Sequence, residues 1–356
     1  PLGRAALVSW PVCCGGRAAK VCASSKIALC RSGSRAICAR RFFGSGALLL
    51  LLSACGLARC TPDPLPRAEF DALYEAPLSA PSKGLRVFHL GHSLVNRNMP
   101  DMLRQFAEAK GLDHRFESQI GWGTPLKSHW EPSEEIFGFE KENAHPRYRD
   151  VSEALTSGNY DALLLTEMVE IRDAIEYFDS ADYLHKFASL AREGNASTRV
   201  YLYETWHNVN DPEGWRTRLE KDRRRYWEDG ILRPALAYDE PPLPIYVIPV
   251  GQVFAEVARQ IEAGTLEGLE AAEELFARDE KGALDPIHVD HLGNYIAALT
   301  HFAVLYHISP EGLGAEVNLY DENVTFSVTK ETLKEKLQQV VWDVVKADPL
   351  TGIAKQ

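Results

Sequence analysis

The feature that most constrains the fold is a repeated order in which a short apolar run is followed by a stretch with helical spacing. A strand followed by a helix, repeated along a chain, gives right-handed crossovers and a parallel sheet covered on both faces. We therefore predict an α/β fold with three layers, α/β/α, around a central parallel sheet of about five strands. The predicted strands are 85–90, 115–120, 160–165, 199–203 and 244–250, and the principal predicted helices are 99–110, 181–192, 253–262, 292–307 and 330–345.

The first 55 residues differ from the rest and predict export. They hold eight Lys or Arg and no Asp or Glu, and residues 40–43 (two arginines, two phenylalanines) precede an apolar run at 46–54. A basic start, a short apolar run and small residues are typical of a signal peptide. Leu-Ser-Ala before Cys55 matches a bacterial lipobox, which predicts that Cys55 is acylated; the alternative is an ordinary signal peptide. We expect residues 1–55 to be an upstream segment with a lipoprotein signal peptide, followed by a tether at 56–83.

The charge and the cysteines of the remaining chain exclude several classes of protein. Beyond residue 55 there are 31 Lys or Arg and 50 Asp or Glu, whereas a nucleic-acid interface needs clustered basic residues. All seven cysteines precede residue 61, so the domain has neither a disulfide framework nor a thiolate metal site. We expect no cofactor, no bound metal, no nucleic acid, and contact with the membrane through the lipid anchor alone; the sequence leaves the oligomeric state open.

A serine follows the first predicted strand directly. Gly91-His92-Ser93 lies at the carboxyl end of that strand, where ligands meet a parallel sheet, and Asn96 or Asn98 is placed to cap the helix that follows. The Ser93 N–H would then lie near a helix N-terminus, which suits stabilisation of an oxyanion. A small residue chosen only to fit a tight turn is the alternative explanation.

A second motif, Asp285-Pro286-Ile287-His288, precedes the last core helix. Serine needs a neutral imidazole to take its proton, and the imidazole needs an acceptor that fixes its tautomer. Asp285, three residues before His288, can supply that acceptor locally. A helix-capping Asp285 beside a surface His288 is the alternative.

Together the two motifs resemble the SGNH hydrolases, which have a serine block after the first strand and Asp-x-x-His before the last core helix. The resemblance covers about residues 84–313 and implies a flavodoxin-like SGNH hydrolase domain, bounded at 84–346 with its C-terminal helix and followed by a tail at 347–356. The sequence is most similar to an uncharacterised bacterial group with a Gly-Asn-Ser serine block and a second block Gly-x-x-Leu-x-x-His, which residues 123–129 match. The resemblance implies catalytic roles for Ser93, His288 and Asp285, and oxyanion donation by Ser93 and Gly123.

The third block departs from the usual Gly-x-Asn-Asp pattern of these enzymes. Here Thr166 and Glu167 follow the third strand, similar to the Gln-Glu variant of the bacterial group, and no amide side chain is available. We expect the Thr166 hydroxyl to be the third oxyanion donor. An ionised Glu167 in the hole would repel the developing charge, so we expect it to turn away to bind substrate hydroxyls or an amine, or to be protonated.

Further residues at the same sheet edge suggest substrate contacts. After the fourth strand, Glu204, Trp206 and Asn208 are candidates for binding a sugar, and His129 is a further candidate; core packing by the aromatic ring is the alternative. The segment 131–150 reads as a long loop or lid with Trp130 and residues 137–139 lining a cleft.

These observations predict an exported serine hydrolase of the bacterial cell envelope that cleaves a carboxylic ester, with a small-molecule or glycan ester as its substrate and removal of a glycan O-acetyl group as the expected reaction. Two other classes remain open. One is a metal-dependent hydrolase using Asp285, His288, Asp290 and His291. The other is a glycan-binding protein on a decayed hydrolase scaffold.

Overall fold

The computed structural model describes residues 62–320 and 323–354, in which five parallel strands form one sheet. Their order is β2-β1-β3-β4-β5, and Val87 of β1 pairs with Phe116 of β2 and Ala162 of β3. The strands are β1 (Arg86–His92), β2 (Arg115–Gly121), β3 (Ala162–Leu165), β4 (Arg199–Glu204) and β5 (Tyr246–Pro249).

Helices cover the sheet in two groups. In one group α2 packs on α11, and α12 contacts both α10 and α11. In the other, α7 contacts α3, α5, α9 and a π-helix at Arg223–Leu232. The helices are α1 (Arg67–Ala72), α2 (Asn98–Ala109), α3 (Leu126–Trp130), α4 (Phe139–Glu142), α5 (Val151–Thr156), α6 (Ile171–Tyr177), α7 (Ser180–Gly194), α8 (Trp215–Asp222), α9 (Arg233–Leu236), α10 (Val250–Glu262), α11 (His291–Tyr306) and α12 (Glu331–Ala347).

The core lies on both faces of this sheet, as expected for strands with continuous apolar sequence. All four residues of β3 and all four of β5 are buried, and α11 is buried from Leu292 to Tyr306. The predicted three-layer α/β/α architecture with five parallel strands is confirmed.

Two small antiparallel pairs lie outside the main sheet. One joins β6 (Phe276–Arg278) to β7 (Leu284–Val289), and the other joins β8 (Glu316–Asn318) to β9 (Thr325–Ser327). The first pair was not predicted. It matters for function because β7 carries Asp285 and His288.

Both flanks of the predicted domain are folded where the structure describes them. In the predicted tether 56–83, α1 buries Phe70, and Leu65 is also in the core. In the predicted tail 347–356, Leu350 is buried and the Thr351 hydroxyl donates to the Val345 carbonyl at 3.0 Å. Apolar side chains on each flank therefore extend the core beyond residues 84–346.

The predicted lid is partly structured. It contains α4, and Ser118 of β2 exchanges backbone hydrogen bonds with its last turn, donating to Arg147 O and accepting from Arg149 N. The segment 131–150 is thus fastened along the edge of the sheet.

The predicted signal peptide and Cys55 lie outside the described residues. No helix among the described residues has both the length and the apolar character that crossing a membrane requires.

Candidate active site

Ser93 lies in a tight turn between β1 and α2. The Val95 N–H donates to His92 O at 2.9 Å and closes the turn. Asn96, at φ 44°, accepts hydrogen bonds from the N–H groups of Asn98 and Met99 at 2.7 and 3.1 Å. The turn therefore has the predicted asparagine cap, supplied by Asn96, and presents a partly exposed Ser93.

Ser93, His288 and Asp285 form one hydrogen-bonded chain. Asp285 Oδ2 lies 2.9 Å from His288 Nδ1, and His288 Nε2 lies 2.9 Å from Ser93 Oγ. A carboxylate can only accept, so Nδ1 carries the proton and Nε2 is free to accept the Ser93 proton. The structure thus brings together three side chains of which Ser93 and His288 are 195 residues apart in sequence.

Asp285 is held by its own turn as well as by the imidazole. Its Oδ1 accepts hydrogen bonds from the N–H groups of Ile287 and His288, each at 2.9 Å. Partial burial alone would raise the pKa of Asp285, but these donors and His288 outweigh burial, so the pKa is lowered. The carboxylate therefore stays ionised and fixes the tautomer of His288.

Strand β7, which carries His288, is held by the segment that follows β4. Trp206 Nε1 donates to Ile287 O at 2.7 Å, and the Val209 N–H donates to Pro286 O at 2.8 Å. On the far side, the Asp290 carboxylate accepts from the Gly293 N–H at 3.0 Å and caps α11. The triad remains open to solvent, with the Asp285 side chain 35% and the His288 side chain 45% exposed.

The residues predicted to stabilise an oxyanion lie at the ends of β1, β2 and β3. Gly121 pairs in register with His92, so Ser93 lies one residue beyond the end of β1 and Gly123 lies two residues beyond the end of the neighbouring β2. Gly123 has φ 57°, a left-handed conformation that favours glycine. Within the described residues, neither the Ser93 nor the Gly123 N–H donates to a backbone carbonyl, so both are available to a ligand.

Thr166 lies against Gly91 and is almost fully buried. A Cβ on Gly91 would lie 2.5 Å from Thr166 Cβ and 3.0 Å from its hydroxyl oxygen. The absence of a side chain at Gly91 therefore lets the third block approach the turn that carries Ser93.

Three hydrogen bonds close a ring that joins the ends of β1 and β3 to α3. His92 Nε2 donates to Glu167 O at 2.7 Å, Leu126 N donates to Glu167 Oε1 at 3.2 Å, and His129 Nε2 donates to Gly91 O at 2.8 Å. Carbonyl oxygens can only accept, so both histidines are protonated on Nε2. Burial lowers the pKa of His92 and of His129 to about 4. Both imidazoles in this ring of hydrogen bonds are therefore neutral at neutral pH.

Glu167 is fully buried and faces backbone rather than substrate. Its Oε1 accepts from Met168 N at 2.8 Å as well as from Leu126 N. Burial raises the pKa of Glu167 to about 7, against the opposing effect of these donors. The Glu167 carboxyl therefore turns away from Ser93, which was one of the two arrangements expected from the sequence. Because the carboxyl is buried against backbone N–H groups, the prediction that it binds substrate is wrong.

Three other predicted substrate contacts are also buried. Trp206 is 1% exposed and packs on Phe254, while Glu204 has no exposed surface and pairs with Arg223 at 2.5 Å. His129 belongs to the ring described above. Asn208 is exposed, so it alone of these four residues can meet a ligand in this conformation.

Trp122 is a site residue that the sequence did not single out. It lies between Gly121 and Gly123, and its side chain is 47% exposed. Phe137, which was predicted to line a cleft, is 61% exposed, and the Trp122 N–H donates to its carbonyl at 2.7 Å. The sequence signal that could have identified Trp122 is its position between two glycines, next to the predicted oxyanion donor Gly123.

The alternative metal ligands do not converge. Asp285 and His288 bond to each other, Asp290 caps α11, and His291 is exposed. Among residues 62–320 and 323–354 no group of three or more His, Cys, Asp or Glu is arranged to hold a metal ion.

Comparisons with known proteins give only remote likenesses. No family model and no curated protein matches the sequence. A DUF4886 family protein from Bacteroides uniformis is similar over 74% of this chain and 95% of its own, with 16% identity and a TM-score of 0.49. A protein described as a putative GDSL-like lipase from Parabacteroides merdae is similar over 63% of this chain and 96% of its own, with 11% identity and a TM-score of 0.36. A carbohydrate esterase family 3 structure from Talaromyces cellulolyticus is similar over 63% of this chain and 97% of its own, with 12% identity and a TM-score of 0.32. The chemistry of the site is therefore judged from its geometry.

Proposed function

We propose that this chain is an SGNH-type serine hydrolase that cleaves a carboxylic ester. The observation that carries the proposal is the unbroken chain from Asp285 through His288 to Ser93, with both links at 2.9 Å. Such separations are those of a competent nucleophile and base. The position of Ser93 at the carboxyl end of β1, beside two unengaged N–H groups, supports the same conclusion.

The reaction proceeds in two halves. Ser93 Oγ forms a bond to the acyl carbon as its proton passes to His288 Nε2, and the Ser93 and Gly123 N–H groups stabilise the oxyanion. The bond to the alcohol oxygen then breaks, and His288 returns the proton to the leaving alcohol. Water repeats the sequence on the acyl-enzyme, releasing the carboxylic acid and restoring Ser93.

A fluorophosphonate probe tests activation of Ser93 without knowledge of the substrate. We expect stoichiometric labelling of the parent protein, none of Ser93→Ala, and slower labelling of His288→Gln; Ser152→Ala, at an exposed serine, is the matched control. A parent that is not labelled, or label that persists in Ser93→Ala, would refute the proposal. Esterase activity abolished by a chelator would favour the metal-dependent alternative instead.

We further propose that the substrate is an acylated glycan of the cell envelope and that the protein is anchored there through Cys55. The support is the basic and apolar sequence before Cys55 together with the excess of 50 Asp or Glu over 31 Lys or Arg beyond it, which argues against an anionic polymer as the substrate. We expect Cys55→Ser to move the protein from the membrane fraction to the soluble fraction with an unchanged melting temperature, because the acyl chains supply the anchor. Membrane association that persists in that variant would contradict the lipid anchor and leave the hydrolase proposal untouched.

A further inference from the structure

Two aromatic residues with exposed side chains are joined through their backbones beside Gly123, because the Trp122 backbone N–H donates to Phe137 O at 2.7 Å. Trp122 and Phe137 are among five large apolar side chains that are exposed in the described part of the chain. Exposed aromatic pairs are costly in water and commonly mark binding surfaces. We call this pair the aromatic ledge.

The strand register places the ledge close to Ser93. Gly121 pairs with His92 at the ends of two adjacent parallel strands, and Trp122 and Ser93 are the next residue on each. Neighbouring strands lie about 5 Å apart. The backbone of Trp122 therefore lies beside that of Ser93, next to the position of an ester carbonyl held between Ser93 and Gly123.

The Trp122 side chain is held in place and is linked to the turn that follows Ser93. Gly138, at φ 71°, underlies the indole, since a Cβ there would lie 2.3 Å from Trp122 Cδ2. Trp122 Nε1 donates to Glu142 Oε1 at 2.8 Å. Arg97, four residues after Ser93, donates to the carbonyls of Lys141 and Glu142 at 2.6 and 3.1 Å. A surface fixed in this way binds with little loss of conformational entropy.

The groups around the ledge are charged. Glu142 contacts the indole nitrogen, and Lys141 Nζ lies 5.4 Å from the centre of the indole ring. A long alkyl chain laid here would strip water from both charges without compensation. A sugar ring instead offers a C–H face to the indole and hydroxyl groups to the carboxylate and the ammonium.

We propose that the aromatic ledge is a saccharide subsite that binds the sugar ring carrying the ester cleaved at Ser93. This inference rests on the proposed function: the aromatic ledge would be the surface that recognises the sugar of the ester substrate. Trp122 acts in binding and takes no part in the chemical step.

The experiment separates binding from catalysis by working in the Ser93→Ala background. Calorimetric titration with a partly acetylated methyl glucoside should detect binding to Ser93→Ala. Adding Trp122→Ala should weaken that binding by about tenfold or more, a typical contribution of an aromatic contact. Trp122→Phe should retain much of it, and Leu243→Ala, at an exposed apolar side chain outside the ledge, should leave it unchanged.

A kinetic arm identifies which half of the ester the ledge contacts. In the otherwise unaltered protein, Trp122→Ala should lower kcat/KM for the acetylated glucoside by about tenfold, mainly through KM, and should lower kcat/KM for ethyl acetate much less than that. Losses confined to ethyl octanoate would make the ledge an acyl-chain site and overturn the inference, as would binding of the glucoside that is indifferent to Trp122. Absence of fluorophosphonate labelling refutes the hydrolase, whereas the titration tests the subsite independently.

Discussion

At the scale of single residues, protonation states follow from the partners of each atom. Asp285 fixes the proton of His288 on Nδ1, and the carbonyls of Gly91 and Glu167 fix those of His129 and His92 on Nε2. The nucleophile's base is thus half exposed and the supporting histidines are buried and neutral. Thr166 and Glu167, at the end of β3, are the residues whose contribution to the proposed reaction most needs a test.

We expect Thr166→Val to lower kcat on a short acyl ester by roughly 10²-fold while changing KM little, because a donor to the oxyanion acts mainly in the transition state. Valine preserves the shape that packs on Gly91, and Thr166→Ser, which keeps the hydroxyl, is the control. Steady-state kinetics decide the question. Parent-like turnover in Thr166→Val would show that Ser93 and Gly123 stabilise the oxyanion without a third donor.

We expect Glu167→Gln to keep the activity at neutral pH, since the amide oxygen can still accept from Leu126 and Met168. Its stability should respond to pH differently. The pKa of Glu167 is raised to about 7 in the folded protein, so the folded state holds more protons than the unfolded state above the ordinary carboxyl pKa. The contribution of Glu167 to the free energy of unfolding is therefore lost as the pH rises through 7.

Melting temperatures at pH 6 and pH 8.5 test this expectation. The parent should lose more stability than Glu167→Gln over that interval. An inactive Glu167→Gln combined with an active Thr166→Val would instead make Glu167 the functional member of the block.

At the scale of elements, the site is a junction of strand ends and helix starts. Asn96, which caps α2, donates through Nδ2 to Asn294 Oδ1 at 2.7 Å, and Asn294 Nδ2 donates to Asp290 O at 2.9 Å. This amide pair links the turn after Ser93 to the residue two positions beyond His288. It therefore holds the two halves of the catalytic chain at a fixed separation.

We expect Asn294→Ala to lower kcat by about tenfold with KM nearly unchanged, because small misplacements of reacting groups are costly. The change leaves the helix cap at Asn96 in place. Asn98→Ala is a matched control, because Asn98 accepts from the Tyr320 N–H at 2.8 Å, on another side of α2. Equal kinetics in the two variants would remove the positioning role from Asn294.

The elements themselves were largely predictable, because strand and helix periodicities are written directly in the sequence. All five strands of the sheet lie within two residues of their predicted bounds, and the sheet edge that holds Ser93 followed from the topology. The direction of side chains after β4 was not predictable. Glu204 and Trp206 lie at the expected edge but point into the core, where Arg223 and Ile287 O satisfy their polar groups.

The site was predictable in its chemistry and less so in its surroundings. Ser93, His288 and Asp285 were identifiable because their roles impose residue types and a local spacing. Trp122 was not, because its exposure depends on the αL turn at Gly138 and on the distant residue Glu142.

At the scale of the whole molecule, buried histidines couple the fold to pH. Burial lowers the pKa of His301 to about 4 and that of His114 to about 3, and their Nε2 atoms have no hydrogen-bond partner within the described structure. The unfolded chain binds protons at these sites below about pH 6.5, where the folded chain does not. Each such residue therefore makes the fold less stable as pH falls from 6.5 towards its folded pKa.

We expect His301→Phe to reduce the acid sensitivity of the protein. Each histidine of this kind contributes a slope of up to about 1.4 kcal/mol per pH unit to the free energy of unfolding. Phenylalanine can retain the packing on Tyr203, whose ring centre lies 4.5 Å from that of His301. Urea unfolding between pH 4.5 and 7 measures the slope, and His291→Phe, at an exposed histidine, serves as the control. A slope unchanged by His301→Phe would contradict this origin of acid lability.

The openness of the triad bears on the fate of the acyl group. Asp285 and His288 are each more than one-third exposed, so the intermediate on Ser93 faces bulk solvent instead of a closed chamber. In the proposed reaction the acyl group on Ser93 is therefore open to water, and hydrolysis of the acyl-enzyme needs no opening of a lid over Asp285 and His288.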